Sequence, residues 1–404
     1  MSVPTPNPNR LTVSVHRRIS DIPEAEWDAC ACPETKNGGR PNDPFTTHRF
    51  LNALEKSGSV GGNSGWDPVH IAVRDEGKLT AVMPLYAKHH SQGEFVFDHG
   101  WANAFEQAGG DYYPKLQATV PFTPATGRRF LMCSGLGSAS FGTLASSAVE
   151  LLSQNQLSSL HVTFCTEDEA EFGRKAGFLH RTGEQFHWMN DDYSSFSDFL
   201  KQLSSRKRKN IRHERGRAND FGGSVSLLTG TEIKPEHWDA FWEFYQNTGL
   251  RKWGTPYLTR RFFEEIHDSM RRDILLIMCE RNGRYIAGAL NFIGNGTLFG
   301  RYWGCIEQHS CLHFEICYYR AIEYAIENGL SRVEAGAQGP HKLARGYMPV
   351  KIHSLHWIAN AAFRRAVLEY LEVENQEIDR VLDFLSNRGP FRKGNNNAKT
   401  GSAH

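Results

Sequence analysis

The chain has 404 residues and a formal net charge of +1. This length predicts two or three domains of ordinary size, with enough chain to bury a sizeable core. The balanced charge excludes a global electrostatic field that would select nucleic acid or a membrane. Any electrostatic function must therefore come from local clusters.

The cysteines and the N-terminus bear on the cellular compartment. The eight cysteines are scattered, without paired Cys-x-x-Cys motifs at zinc-finger spacing, and most lie in apolar runs. We expect most of them to pack as small hydrophobic residues in a reducing compartment. Residues 1–10 are predicted to be disordered, with no apolar signal segment, and no apolar run reaches membrane-spanning length. The sequence therefore predicts a cytoplasmic protein without a membrane span. Its oligomeric state stays open.

Residues 11–190 combine strand and helix patterns. Strands are expected at 11–15, 69–73, 79–86, 95–97 and 116–120, with helices at 23–30 and 47–57. This half closes with a helix at 139–154, a strand at 160–164, a helix at 167–176 and a strand at 178–188. That closing order resembles the end of a GNAT-type acyltransferase domain.

Residues 191–388 carry a similar order of elements. Helices are expected at 196–217, 235–247, 258–270, 312–328 and 361–385, and strands at 224–228, 274–279, 285–293, 298–303, 332–334 and 352–358. The predicted fold class is α/β (α+β), with tandem domains at 11–190 and 191–388 and a flexible tail at 389–404. Each domain would contain a mixed, mostly antiparallel sheet flanked by helices. A binding cleft is expected between the domains.

The strongest candidate for a functional loop runs from Glu334 to Tyr347. Its first part reads Glu-Ala-Gly-Ala-Gln-Gly-Pro-His-Lys between two predicted strands. Glycine permits positive φ and a close approach to a ligand, while the carboxylate, amide, imidazole and cations can converge on one small volume. The alternative is a Gly-rich connection whose charges are solvated.

A second candidate is the basic helix around Arg206–Arg217. Four consecutive cations, Arg206 to Lys209, must cover every face of a helix. Such density suits phosphate oxygens, which lysine and arginine bind through charge-assisted hydrogen bonds. The alternative is a solvated helix face.

These segments resemble the Fem transferases, the aminoacyl-tRNA-dependent enzymes of cell-wall synthesis, which are built from two GNAT-type domains. The resemblance is closest to the proteobacterial Fem-like branch, labelled peptidoglycan-biosynthesis or GNAT-type acyltransferase. It covers nearly the whole chain. The matching segments are the basic helix from Leu203 to Arg212, Thr248 with Arg251, Tyr302-Trp303-Gly304, His313-Phe314-Glu315, Glu334 to Lys342, Phe97 to Ala102 and Tyr113-Pro-Lys115.

The resemblance implies a phosphate-bearing donor, aminoacyl-tRNA or acyl-CoA as a co-substrate without a tightly bound cofactor, and an amine acceptor. Two features of this branch differ from better-known Fem chains: it carries the Gln-Gly-x-His-Lys segment, and no coiled-coil arm appears between Arg217 and Ser224. The usual GNAT pyrophosphate turn is also not evident. The donor therefore stays open at this stage.

Acyl transfer to an amine requires a proton acceptor, a donor for the developing oxyanion, and close positioning. We expect Glu334, His341, Gln338 and Glu315 to supply the chemistry, with Gln338 donating to the oxyanion. The alternative for Glu315 is that it complements a helix dipole. The expected substrate-binding residues are Arg206, Arg208, Arg212, Arg251, Tyr302, Trp303, His313, Lys342 and Arg345. Scattered histidine pairs such as His309 and His313 lack a third ligand, so no metal site is predicted.

The predicted function is an N-acyltransferase that moves an aminoacyl group from aminoacyl-tRNA, or another acyl group, onto a primary amine. A peptidoglycan-related or other peptide would be the acceptor. The alternative enzyme is an acyl-CoA-dependent N-acetyltransferase. A non-catalytic module that binds a peptide or nucleic acid on the same fold is the alternative of another class.

Overall fold

Two β-sheets organise the chain in a computed structural model, which describes residues 11–134, 138–252, 256–336 and 339–392. The strands are β1 (Leu11–His16), β2 (Trp66–Pro68), β3 (His70–Asp75), β4 (Lys78–Met83), β5 (Leu85–Lys88), β6 (Lys115–Ala118), β7 (Leu131–Met132), β8 (Ser159–Cys165), β9 (Leu179–Met189), β10 (Ser224–Thr229), β11 (Ile274–Arg281), β12 (Arg284–Ile293), β13 (Thr297–Cys305), β14 (Arg332–Glu334) and β15 (Met348–Ile358).

Helices flank these sheets. They are α1 (Glu24–Ala31), α2 (His48–Lys56), α3 (His99–Gln107), α4 (Ser138–Gln154), α5 (Glu167–Lys175), α6 (Phe196–Gln202), α7 (Ser205–Asn219), α8 (Pro235–Lys252), α9 (Arg260–Met270), α10 (Leu312–Phe314), α11 (Arg320–Glu327) and α12 (Ala361–Ser386). A π-helical turn, Glu315–Tyr319, joins α10 to α11, and a 3-10 turn, Pro340–Arg345, follows β14. None of the described helices is long and apolar enough to cross a lipid bilayer.

The larger sheet has the strand order β10-β11-β12-β13-β14-β9-β15-β8-β6-β5-β2, and the smaller has β1-β3-β4-β7. Among the described strands, β13 with β14 and β6 with β8 pair in parallel, and the other pairings are antiparallel. A mixed, mostly antiparallel sheet flanked by helices is thus confirmed.

The two halves of the chain exchange strands at the centre of the larger sheet. β9, from the first half, pairs with β14 and β15 of the second half, and β15 also pairs with β8. The backbone hydrogen bonds therefore cross the sequence division near residue 190 repeatedly. The assignment of two domains at 11–190 and 191–388 stays a prediction.

Several elements differ from the sequence prediction. Strands β2 and β7 were not predicted, the expected strand over 79–86 is the two strands β4 and β5, and the expected helix over 312–328 is interrupted by the π-helical turn. The helix expected over 196–217 is two helices, because Leu203 is extended and Ser204 occupies the N-cap of α7. The expected strand at 95–97 is a loop in which Phe95 has a φ of 60°, a conformation that a strand excludes. Helix α3 was not predicted, since its Gly and Asn residues weaken a helical pattern.

A β-bulge in β13 prepares the site described below. Leu290 of β12 pairs with Tyr302, but the next residue, Asn291, pairs with Gly300, so Arg301 is the extra residue. Bulges redirect side chains. Here Arg301 Nη2 and the Tyr302 hydroxyl both donate to the carbonyl of Phe122, over 2.5 and 3.2 Å. Through these two hydrogen bonds the bulge connects β13 to the segment around Phe122 in the first half of the chain.

The structure corrects part of the cysteine prediction. Cys30 and Cys133 are joined by a disulfide, whereas Cys32, Cys165, Cys279 and Cys305 are buried free thiols. The expectation that most cysteines pack in the interior holds for these four.

Candidate active site

The loop after β14 lies where the sequence predicted it, between two strands of the larger sheet. Gly336 and Gly346 have φ values of 74° and 95°, which a residue with a Cβ adopts at a cost. Residues 337 and 338 lie outside the described part of the chain, so the predicted oxyanion role of Gln338 is not addressed. Pro340–Arg345 forms the 3-10 turn and carries three of the predicted site residues.

Glu334 is a buried carboxylate at the end of β14. Its side chain is 5% exposed, and burial raises its pKa to about 6. Arg332 Nε lies 3.1 Å from one oxygen and His187 Nε2 lies 3.7 Å from the other. Neither oxygen accepts a hydrogen bond from the described residues. Glu334 is thus largely ionised near neutral pH and retains free lone pairs.

Lys342 is a buried amine close to the same loop backbone. Its Nζ donates to the carbonyl of Gly336 over 2.8 Å, and burial lowers its pKa to about 8. Within the described residues, no carboxylate lies within ion-pair distance of Nζ. An ammonium without an anionic partner is poised to interact with a negative charge brought by a substrate.

His341 belongs to an aromatic cluster on the surface of the loop. Its Nε2 lies 2.9 Å from the Tyr318 hydroxyl, and its ring centroid lies 6.4 Å from that of His313. His313 in turn contacts Trp303 edge-to-face at 4.8 Å. Three predicted site residues, His341, His313 and Trp303, are therefore brought together. Tyr302 points instead to Phe122 through the bulge.

Arg345, a predicted donor-binding residue, connects the basic helix to the loop. Its Nη2 lies 2.9 Å from both carboxylate oxygens of Glu214 in α7, and its Nη1 donates to the carbonyl of His341 over 2.7 Å. The guanidinium also stacks 3.5 Å from the centroid of Phe314. Among the described residues its Nε has no hydrogen-bond partner, and binding of the donor by Arg345 stays a prediction.

Glu315 is also occupied, which argues against its expected role as a proton acceptor. Its carboxylate is completely buried in the π-helical turn and is bound by Arg215 over 2.8 and 3.0 Å and by Arg320 Nε at 2.9 Å. Two guanidinium groups thus occupy the oxygens of this carboxylate. The alternative of a purely structural residue describes this geometry better.

Sequence reasoning missed Glu214 and Arg215. The sequence analysis assigned this helix to phosphate binding, with a solvated face as the alternative. In the structure Glu214 also accepts a hydrogen bond from the Tyr319 hydroxyl, and Arg215 binds Glu315 and Glu323. The sequence feature that could have indicated these contacts is Glu214, the one acidic residue among the cations of 206–217. These contacts fix one face of α7 against the turn and direct the remaining cations elsewhere.

Those remaining cations are exposed or half-buried. Arg206 and Arg212 are exposed and Arg208 is half-buried, and within the described residues none of the three has an ion-pair or hydrogen-bond partner. The side chain of Arg251 is outside the described part. These three arginines of α7, whose side chains lack partners among the described residues, are consistent with the predicted contact to phosphate.

A buried ionic cluster in the first half was also missed as a unit, although the sequence singled out Phe97–Ala102 and Tyr113–Lys115. Lys115 Nζ donates to Ser91 Oγ over 2.9 Å, to Glu94 Oε2 over 2.8 Å and to Asp98. Lys115 is fully buried, and Glu94 and Asp98 are each 3% exposed. The cluster lies under helix α3 and shares no residue with the loop.

Comparison with known proteins places the chain in a family. The profile of the FemAB-like family, described as peptidoglycan biosynthesis/recognition, matches residues 18–393. The chain belongs to the FemAB-like family. This membership identifies it as an acyltransferase of the Fem type, and the expected resemblance is confirmed.

Solved structures agree with this FemAB-like fold. The crystal structure of FemX is 14% identical, with a TM-score of 0.52 over 86% of this chain and 98% of that one. A tandem GNAT protein from the clavulanic acid biosynthesis pathway is 13% identical, with a TM-score of 0.46 over 87% and 99% of the two chains. The likeness to FemX confirms the predicted α/β fold class, and the division into tandem domains stays a prediction. Among curated proteins, none matches.

Proposed function

We propose that this FemAB-like protein is an N-acyltransferase that moves an aminoacyl group from aminoacyl-tRNA onto a primary amine of a peptidoglycan-related peptide. The observation that carries the proposal is a buried carboxylate with free lone pairs, Glu334, at the entry to the loop, together with a buried amine in the loop, Lys342, that has no acidic partner among the described residues. Groups whose pKa values are shifted toward neutrality are suited to proton transfer near pH 7.

Glu334 would act as the proton acceptor. The attacking ammonium transfers a proton to Glu334, and the freed lone pair forms the new C–N bond at the acyl carbonyl, whose oxygen becomes the oxyanion. As the tetrahedral intermediate collapses, the C–O bond to the tRNA ribose breaks, or the C–S bond if the donor is an acyl-CoA, and the leaving oxygen or sulfur takes the proton from Glu334. The amide nitrogen releases its extra proton to solvent. His341 is an alternative proton acceptor because it lies exposed beside the loop.

Lys342 would stabilise negative charge. With a pKa of about 8 it is mostly protonated at pH 7, and its ammonium has no carboxylate to neutralise it among the described residues. A positive charge in a buried position stabilises the developing oxyanion more strongly than one in water. Positioning of the reacting groups by Lys342 would contribute more to the rate of transfer than a single strong base.

Arg206, Arg208 and Arg212 would bind the donor. Arg208 and Arg212 are four residues apart and share one face of α7, whereas Arg206 lies on another face. Unpaired cations on more than one side of a helix suit an extended polyanion that contacts the helix over several phosphates. This favours tRNA over coenzyme A, which remains the second candidate donor. Charged tRNA is a cytoplasmic substrate, so we assign the activity to the cytoplasm.

The test incubates the purified protein with radiolabelled aminoacyl-tRNAs, with acyl-CoAs, and with amine-bearing peptides. We expect transfer from aminoacyl-tRNA, lost in Lys342→Met and preserved in Lys351→Met, a matched lysine that is 40% exposed and pairs with Asp379. Transfer only from acyl-CoA would support the second candidate. Binding of tRNA or peptide without transfer would support a non-catalytic module.

A further inference from the structure

The first half of the chain contains an open cavity of about 710 Å³ that shares no residue with the loop after β14 or with α7. It lies between the turn at Ile19–Asp21, the end of α2, and the segment that leads into β2. A volume of this size accommodates a small ligand. The lining residues are Arg17, Arg18, Ser20, Asn52, Glu55, Lys56, Gly58, Val60, Gly61, Gly62, Asn63, Asp67 and Pro68.

The cations of this cavity are poorly neutralised. Arg17 and Arg18 are exposed and, within the described residues, lack an acidic partner. Lys56 is 56% exposed and lies 3.8 Å from Glu265, at the limit of an ion pair. Three positive side chains thus remain available for an incoming anion.

The two acidic residues in the lining are already occupied. Glu55 accepts hydrogen bonds from the N–H of Ile19, over 2.9 Å, and lies 2.9 Å from His70 Nε2. Asp67 lies 2.9 Å from His89 Nε2. The Glu55 carboxylate is directed into the fold and is 11% exposed, whereas the Asp67 carboxylate is 41% exposed and remains, with the arginines, among the groups that a ligand meets.

The glycine-rich segment adds backbone donors to the cavity wall. Gly61 and Gly62 have φ values of 85° and 56°, and a Cβ at either position would meet nothing within 4 Å. Glycine is therefore required there for backbone conformation. Among the described residues, no acceptor takes the N–H of Gly62 or Asn63. Adjacent backbone N–H groups with free hydrogens are a common feature of anion sites.

This segment is held in place from both halves of the chain. The N–H of Gly61 donates to the carbonyl of Trp66 over 2.8 Å. Thr259, at the N-cap of α9, donates through its N–H to Ser59 Oγ over 3.1 Å and through its hydroxyl to the carbonyl of Ser57 over 3.0 Å. A fixed loop loses little conformational entropy when a ligand binds.

We propose that this cavity binds a small phosphate ester carried on a hydroxyl-rich, non-aromatic scaffold, such as a sugar phosphate. The phosphate would contact Arg17, Arg18 and the N–H groups of Gly62 and Asn63, while Asn52 and Ser20 provide partners for hydroxyl groups. The lining contains no aromatic side chain. A nucleobase would find no ring for stacking, and this selects against nucleotides.

The test is isothermal titration calorimetry of the full chain with glucose 6-phosphate, inorganic pyrophosphate and glucose. We expect one phosphate-dependent site, weakened about tenfold or more in the double variant Arg17→Gln, Arg18→Gln, as expected when charge-assisted hydrogen bonds are removed. The matched control is Arg174→Gln, Lys175→Gln, two adjacent exposed cations on α5 outside the cavity. It should bind as the unmodified chain does.

Three results would overturn this proposal: equal binding by the double variant, equal weakening in the control pair, or several weak sites that vanish with moderate salt. A thermal midpoint measured for each variant separates lost binding from lost folding, and Asn63→Pro, which removes one backbone donor, provides a second test without a charge change. Because the cavity and the loop share no residue, acyl transfer and phosphate binding can fail independently.

Discussion

Two buried lysines, one in each half of the chain, have opposite electrostatic surroundings. Lys115 lies under α3 against Glu94 and Asp98, and although burial lowers its pKa, the two carboxylates outweigh burial and raise it. Lys342 has a backbone carbonyl as its partner, and burial lowers its pKa to about 8. Burial is similar at the two positions, so the partners decide which lysine holds its proton firmly. We infer that Lys115 supports the fold and that Lys342 is available for chemistry.

The largest effect is expected for Lys115→Met. The substitution would remove the lysine that binds Asp98 and would leave Glu94 with only Lys88, whose Nζ lies 3.9 Å away. Breaking a buried ion pair typically destabilises a protein by about 3–5 kcal/mol. Urea denaturation at pH 7 measures the change. Lys175→Met, an exposed lysine on α5, should change the free energy of unfolding by less than about 0.5 kcal/mol. A loss under about 1 kcal/mol for Lys115→Met would contradict the assigned structural role.

Glu334→Gln tests the buried carboxylate of the candidate site. Its pKa in the folded protein, about 6, is above the ordinary value of 4.5, so its protonated form favours folding. The stability that it contributes is complete below pH 4.5 and is lost as the pH rises through 6. The Gln variant should therefore be more stable at pH 8 by roughly 1–2 kcal/mol.

The activity of Glu334→Gln should change in the opposite direction. Transfer by the unmodified protein should rise with pH through about 6 as Glu334 ionises. The variant should be slow at all pH values and lack this rise, which a pH–rate profile at saturating donor would detect. If the variant retains the rise, another group, such as His341, accepts the proton.

Lys342→Met is expected to separate stability from function. Removal of a buried ammonium that lacks an acidic partner should leave the free energy of unfolding within about 1 kcal/mol of its original value, because desolvation already disfavours the charge. Single-turnover transfer should fall by about 100-fold, the scale of a lost oxyanion donor. Strong destabilisation would show that Lys342 resembles Lys115 after all.

The smallest effect on stability is expected for the triple variant Arg206→Gln, Arg208→Gln, Arg212→Gln. Unpaired surface cations contribute little to folding, so the thermal midpoint should stay nearly constant. Donor affinity, measured by filter binding at two salt concentrations, should fall, and its salt dependence should become shallower. If the triple variant unfolds, these three arginines of α7 stabilise the fold and are not reserved for the donor.

The site was predictable where the sequence pattern is local. Gly336 and Gly346 between two strand patterns indicated a functional loop, and the structure has a loop there with both glycines at positive φ. The roles of Glu315 and Arg345 were not predictable in this way. Their partners, Arg215 and Glu214, lie more than 90 residues away in the chain, and only folding brings the charges together.

The first half shows the same limit more strongly. Lys115 and Asp98 were part of segments that resemble the family, but no local pattern indicated that their charges share one buried cluster. The register that sets Lys88 opposite Lys115 and the loop that carries Glu94 are products of strand pairing and of chain packing. Secondary-structure propensities along the sequence specify neither this strand register nor the position of this loop.

By itself, the sequence determined the order of most strands and helices, the Gly-rich loop, the basic segment and the family resemblance, because each depends on residues that are near one another in the chain. Tertiary structure decided which ionisable groups have a partner of opposite charge and which do not. Pairing of β9 with β14 and β15, docking of α7 through Glu214, and burial of Lys342 next to the carbonyl of Gly336 set the local electrostatics. Electrostatic energy depends on distance and solvent exposure, and these are fixed only when segments distant in the chain pack together.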